Sequence, residues 1–272
     1  MRSFLLHMNL ENIKLIVSDM DGTLLRSNHE LSPEFDTIYK KLIAKGIKFV
    51  PASGRQFYSI TSYFEENKNQ MAIIAENGTY VTVNGQEVFV DELDRDLVNE
   101  IILETRKIEG AHIVLAGKNA AYVESNDEIF IDYFQNYYTK NIMVEDLTKI
   151  EDDQIIKIAI NHRDGSEANV YPFLKHFEKY DLKVVISGEV WLDIMNKDTN
   201  KGKALQALQT QLGISKDETM VFGDYMNDIE MLELATFSYA MQNAHPNVKA
   251  VANFEAPSND EDGVLTVIKQ LV

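Results

Sequence analysis

Residues 15–25 read Leu-Ile-Val-Ser-Asp-Met-Asp-Gly-Thr-Leu-Leu. A short apolar run, bounded by a turn, drives into two aspartates one residue apart. Such a run is the pattern of a buried strand. Carboxylates this close repel each other, and each loses hydration if buried. A cation, a shared proton or open water must therefore compensate.

The chain that follows repeats this logic. Ser32 as N-cap and Pro33 at the first helical position predict a helix. Phe35, Ile38 and Leu42 share one face of it, and Gly46 closes it. Residues 47–51 read as a second strand, followed by Ser53-Gly54-Arg55 and a helix over 57–66. A third strand over 71–75 ends at Glu76-Asn77-Gly78. Strands and helices alternating at this size predict a parallel, doubly wound sheet.

The texture then changes. Asn84-Gly85 between 80–83 and 87–90 signals a hairpin. Helical segments at 91–108, 127–138 and 166–179 are mixed with strands at 112–116, 120–124, 154–160, 182–187 and 190–195. From about 200 the first texture returns: a helix over 203–212, a strand over 219–222, a helix over 227–235, a strand over 237–241 and an amphipathic helix over 263–271. The expected fold class is α/β. A Rossmann-like, doubly wound parallel-sheet core spans 1–84 and 191–272, with an α+β cap inserted at 85–190.

Bulk properties narrow the function. The 272 residues are 45% hydrophobic and 25% charged, ordinary for a soluble protein. No apolar run approaches the roughly 20 residues that span a bilayer. The first residues, MRSFLLHMNLENIK, lack the apolar stretch and cleavage site of a signal peptide and read as a short leader, with Met8 an alternative start. The chain has no cysteine, which excludes disulfides, a thiolate nucleophile and Cys-ligated metals; cytoplasmic is the default location. A formal charge of −17 disfavours nucleic acid and anionic membrane. No obligate protein partner is inferred, and an anionic substrate needs a local positive patch. The six histidines show no metal-binding spacing and are expected at the surface or in the core.

Four polar clusters are expected at strand ends, where open α/β sheets bind ligands. They are Asp19/Asp21, Ser53-Gly54-Arg55, Lys201-Gly202 before a helix, and Gly223-Asp-Tyr-Met-Asn-Asp228. Singly, each reads as a turn, a helix entry, a solvated lysine or a helix N-terminus. Jointly they make a site. Asp19, Asp21 and Asp224 on adjacent strand ends suit Mg²⁺, which takes few carboxylates and keeps several waters. The metal, Lys201, the Ser53 hydroxyl and backbone N–H groups would cradle an oxyanion within an acidic protein.

Asp19-Met-Asp-Gly-Thr-Leu, Ala52-Ser-Gly-Arg, Asn200-Lys-Gly-Lys-Ala-Leu and Gly223-Asp-Tyr-Met-Asn-Asp resemble, in order, the four motifs of haloacid-dehalogenase superfamily phosphatases. Glu76-Asn-Gly, Gln242-Asn-Ala and Asn259-Asp-Glu-Asp-Gly-Val are similar to the Cof-like branch, which carries a large α/β cap. The resemblance covers nearly the whole chain. Ser53 stands where Thr is common, keeping the hydroxyl, and Gln242 where Gly is common.

The resemblance implies a Mg²⁺-dependent phosphomonoesterase acting on small phosphorylated metabolites. Sugar phosphates come first, with pyridoxal phosphate or flavin mononucleotide as options. Asp19 would be the nucleophile and Asp21 the general acid and base. Ser53, Gly54, Arg55, Lys201 and Asn227 would hold phosphate or substrate, with a structural ion pair the alternative for Arg55, and Lys201 would also orient Asp19. Asp19, the Asp21 backbone carbonyl and Asp224 would bind the metal, with Asp228 behind them. The cap would control water and read the leaving group; Tyr80, His112, Asn126, Ser187 and Trp191 are the visible candidates. Tyr133, Phe134, Tyr137 and Tyr138, at helical spacing, are expected as cap core. The alternatives are a phosphomutase of the same superfamily and a non-catalytic phosphometabolite-binding protein. A dehalogenase fits Asp21 and Asp224 poorly, and no Walker motif is present.

Overall fold

The computed structural model describes residues 10–272, so the expected leader through residue 9, with the alternative start at Met8, lies outside the described residues. The strands are β1 (Leu15–Ser18), β2 (Lys48–Pro51), β3 (Ala72–Ala75), β4 (Tyr80–Val83), β5 (Gln86–Val90), β6 (Ala111–Gly117), β7 (Ala121–Val123), β8 (Asn141–Met143), β9 (Ile155–His162), β10 (Leu182–Gly188), β11 (Trp191–Asn196), β12 (Thr219–Gly223), β13 (Phe237–Met241) and β14 (Phe254–Ala256). They form three sheets.

The first sheet is parallel throughout, in the order β14-β13-β12-β1-β2. Every residue of β1 and β12 is buried, as their near-continuous apolar sequences require between two covered faces. The chain leaves β1 toward β2 on one side and later fills the other side through β12. The β1/β12 boundary is therefore the topological switch point, where a crevice opens at the strand ends. The third expected strand departs from the prediction. It pairs antiparallel with β4 in a sheet ordered β3-β4-β5 and touches β2 by one parallel bridge, Ala52 to Ile74.

The other sheet has the order β10-β11-β9-β6-β7-β8 and is antiparallel except for β7/β8. Its two faces follow the period-2 alternation of the strands. Ile158, Ile160, Leu192, Ile194 and Val184 pack beneath the helix Arg95–Thr105 and the segment 166–180. Ala159 and Trp191 face the other way, with Val114, Phe130 and Phe134. Sequence places 191 onward with the first sheet, but β11 hydrogen-bonds to both β9 and β10, with Leu192 and Ile194 in this second core. Conversely β5 pairs with β4, and its Phe89 packs on the first core.

Local details shift for stated reasons. The helix expected from Pro33 begins at Phe35, after a turn in which the Ser32 hydroxyl accepts from Glu34 N–H (3.4 Å) and donates to Asp262 (2.9 Å). The helix expected over 166–179 breaks at Val170, two residues before Pro172, whose missing N–H cannot continue the ladder. Strands β8 and β14 and the helix Pro246–Val251 are not anticipated in the sequence; each is too short to show a period. Among the described residues no helix is long and apolar enough to cross a membrane.

Candidate active site

Asp19 follows β1, Ser53 follows β2 and Asp224 follows β12, so three neighbouring strand ends meet in one crevice. The fourth cluster arrives differently. Lys201 follows β11 of the other sheet and is the first residue of the helix Lys201–Leu212, capped by Asn200 through Lys203 N–H (2.7 Å). A cation in the first turn of a helix opposes the dipole. Here two carboxylates compensate it: the fully buried ammonium donates to Asp19 Oδ1 and to Asp228 Oδ1 (2.8 Å). Burial disfavours its charge, but Asp19 and Asp228 together hold Lys201 above the ordinary lysine range.

Asp228 is fully occupied. Its second oxygen accepts from the backbone N–H of Asp224 (2.9 Å) and Tyr225 (3.1 Å), which fixes the loop carrying Asp224. Asp224 in turn accepts from the Thr23 hydroxyl (2.8 Å), and burial pushes it up to about 6 against that bond. Asp19 is buried as well, and burial pushes its carboxyl well above the usual range against the pull of Lys201. Gly22, at φ +78°, permits this crowding. A Cβ there would lie 2.4 Å from Asp224 Oδ2.

The donor set fits a hard divalent cation. Carboxylate oxygens of Asp19, Asp224 and Asp228 lie within 4.8 Å of one another. Lys201 and the loop amides take both oxygens of Asp228. Asp19 and Asp224 each keep an oxygen to which no protein donor is bonded among the described residues. A buried and a half-buried acid pushed up in this way are the condition a bound cation relieves.

Ser53 is buried. Its hydroxyl accepts from Arg55 N–H (3.1 Å), and its carbonyl accepts from Asn77 N–H (2.9 Å). The Asn77 side chain leans on Gly54, where a Cβ would lie 3.0 Å from its amide, and accepts from Asn227 Nδ2 (3.0 Å). Asn77, left unassigned in the sequence, thus joins the β2, β3 and β12 ends. Glu76, Asn77 and Gly78 all have positive φ (48°, 56° and 99°).

Arg55 takes the ion-pair alternative. Its guanidinium clasps Asp21 with two bonds, Nε to Oδ2 (2.7 Å) and Nη2 to Oδ1 (2.5 Å), and donates to Tyr63 (3.1 Å). Burial would raise Asp21, but the bonds and charge of Arg55, with His29 at 3.3 Å, hold it below the ordinary range. His29 therefore belongs to the site, which histidine spacing did not indicate.

A cavity of about 830 Å³ runs from these residues to the second sheet. Of the cap residues visible in the sequence, Ser187 and Trp191 line it. Tyr80 instead packs edge-on against Phe57, and His112 stacks on Phe130. Asn126 does not line the cavity. Phe134 is buried as core, whereas Tyr137 and Tyr138 also face the cavity. Lys157 and Asp193, which no motif flags, line it too.

A sequence model of the haloacid dehalogenase-like hydrolases matches residues 16–268. The chain is 36% identical to the 5-amino-6-(5-phospho-D-ribitylamino)uracil phosphatase YbjI of Escherichia coli, over 96% of this chain and 97% of that protein. It is 28% identical to the Bacillus subtilis phosphatase YitU of the same description, over 94% and 96%. Among solved structures, SMU.1108c from Streptococcus mutans superposes with a TM-score of 0.82 at 32% identity, covering 95% of this chain and 98% of that one.

Proposed function

Since the chain belongs to the haloacid dehalogenase-like hydrolases, we propose that this phosphatase cleaves phosphomonoesters of small metabolites through an aspartyl-phosphate on Asp19. The observation that carries this is the position of Asp19. Its carboxylate sits at the switch point, held by Lys201, with Ser53 and Asp224 on the flanking strand ends.

An Asp19 oxygen attacks phosphorus in line with the ester oxygen. The P–O bond to the alcohol breaks as Asp21 gives that oxygen a proton, which it can carry only once the bound phosphate dianion raises its pKa against the pull of Arg55. Asp21 then takes a proton from water, whose oxygen attacks phosphorus, releasing phosphate and restoring Asp19. Lys201, the Ser53 hydroxyl and the loop amides face the phosphoryl oxygens, and Asn77 and Asn227 keep those loops in register. Mg²⁺ held by Asp19, the Asp21 carbonyl and Asp224 would neutralise the phosphoryl charge. The inserted unit, which we read as the cap from about 91 to 196, would control water at the site.

The leaving group is read as a sugar or sugar-like alcohol. The names of two relatives, both phosphatases of a phosphoribityl compound, support this. The test is phosphate release from a panel of phosphorylated metabolites, with and without Mg²⁺, with Asp19→Asn as control. Mg²⁺-dependent multiple turnover that the variant loses is the expected result. A variant that retains turnover removes Asp19 from the role, and stoichiometric capture without turnover favours a binding protein.

A further inference from the structure

The end of the cavity away from Asp19 is built from the polar face of the second sheet. Lys157 and Ala159 alternate along β9, and Trp191 and Asp193 along β11, so all four look toward the core. The Lys157 ammonium, almost fully buried, lies 2.6 Å from Glu76 and 3.8 Å from Asp193. One ammonium thus faces two carboxylates, which leaves one negative charge in excess. Of the two, Asp193, 7% exposed, receives no hydrogen bond from the described residues. Beside it Trp191 is 9% exposed, and its indole Nε1–H is buried without an acceptor. Buried polar groups are normally satisfied, and exceptions call for an explanation.

On the phosphatase reading above, we infer that Asp193 and Trp191 select a leaving group that carries a neutral hydroxyl at this end of the cavity and reject one that carries an anion there. A hydroxyl both donates and accepts, so it can satisfy the carboxylate and the indole N–H together. A carboxylate or second phosphate has no proton to give Asp193 and adds like charge. An ammonium cannot accept from the indole. An anionic tail is thus disfavoured at this end, whereas a neutral hydroxyl is not.

The experiment compares glucitol 6-phosphate with 6-phosphogluconate, which differ only in a terminal CH₂OH against a carboxylate. The full chain is used with Mg²⁺, and p-nitrophenyl phosphate serves as an ester with no hydroxyl tail. Both compounds are also measured as competitive inhibitors of p-nitrophenyl phosphate hydrolysis. The wild type is expected to favour the glucitol ester by at least roughly 100-fold, since sites built to bond a hydroxyl reject analogues lacking it by up to about 10⁴–10⁵. Asp193→Asn should shrink that ratio by about tenfold or more, and Trp191→Phe should weaken the glucitol ester more than p-nitrophenyl phosphate. Equal treatment of the two esters by the wild type overturns the inference even if the variants fail to fold, and so does a ratio unmoved in a folded Asp193→Asn. Release from none of the three esters overturns the phosphatase reading instead.

Discussion

Arg55 clasps Asp21 with two parallel hydrogen bonds, at 2.7 and 2.5 Å, and so restrains the carboxylate read here as the proton carrier. The motif alone left open a contact with substrate or an ion pair. The two roles predict different kinetics. A positioning residue acts on kcat, since a displaced general acid can cost roughly 100-fold. A phosphate ligand binding ground and transition states alike acts on KM. Arg55→Gln is expected to lower kcat by about that factor with KM changed by less than threefold. Steady-state kinetics on one ester decides it, and a large KM effect with kcat intact would return Arg55 to the phosphate.

Gly22 gives a test of the metal site that leaves every ligand in place. At φ +78° an alanine carries backbone strain of order 1–3 kcal/mol. Its Cβ also drives into Asp224 Oδ2. Gly22→Ala should raise the Mg²⁺ concentration for half-maximal activity at least tenfold and lower the melting temperature. Metal titrations and thermal denaturation report the two effects, and an unchanged Mg²⁺ requirement would separate Asp224 from the metal.

The Glu76–Lys157 pair joins the loop after β3 to β9 across the two sheets, with both side chains buried. Removing one partner leaves a buried charge uncompensated, at about 3–5 kcal/mol. Lys157→Met should destabilise the protein by about this amount, the more so because Asp193 is stranded with Glu76. The double variant Glu76→Gln/Lys157→Met should recover a large part of the loss. Denaturant unfolding of the four proteins gives the coupling; additive losses would contradict it.

A pH dependence follows from Glu218. Hydrogen bonds from Lys14, Ser215 N–H and the Ser215 hydroxyl push its carboxyl down to about 2. A group whose folded pKa is depressed stabilises the fold above its unfolded value, and that contribution fades as pH falls through the folded one. The melting temperature of wild type should therefore exceed that of Glu218→Gln at neutral pH. The gap should close between about pH 4.5 and 2. A gap that persists at pH 2 would locate the effect elsewhere.

Much of this was legible in the chain. The apolar run before Asp19, and the matching runs before Ser53 and Asp224, are local signals: strands buried on both faces need continuous apolar sequence, and polar residues must wait for the strand end. Asn84-Gly85 was equally readable, because both residues of that turn need positive φ. Lys157 and Asp193 were not. They alternate with isoleucine and leucine, as any half-buried strand does. Nothing local says whether the polar face meets water or another sheet.

The sequence by itself therefore determined the parallel core, the strand-end acids and the family, because each rests on residues adjacent in the chain. The tertiary structure alone decided that Arg55 holds Asp21, that β11 belongs to the second sheet, and that Lys157, Asp193 and Trp191 look into the catalytic crevice. These are contacts between distant segments, fixed by how two sheets dock rather than by the spacing of residues within either.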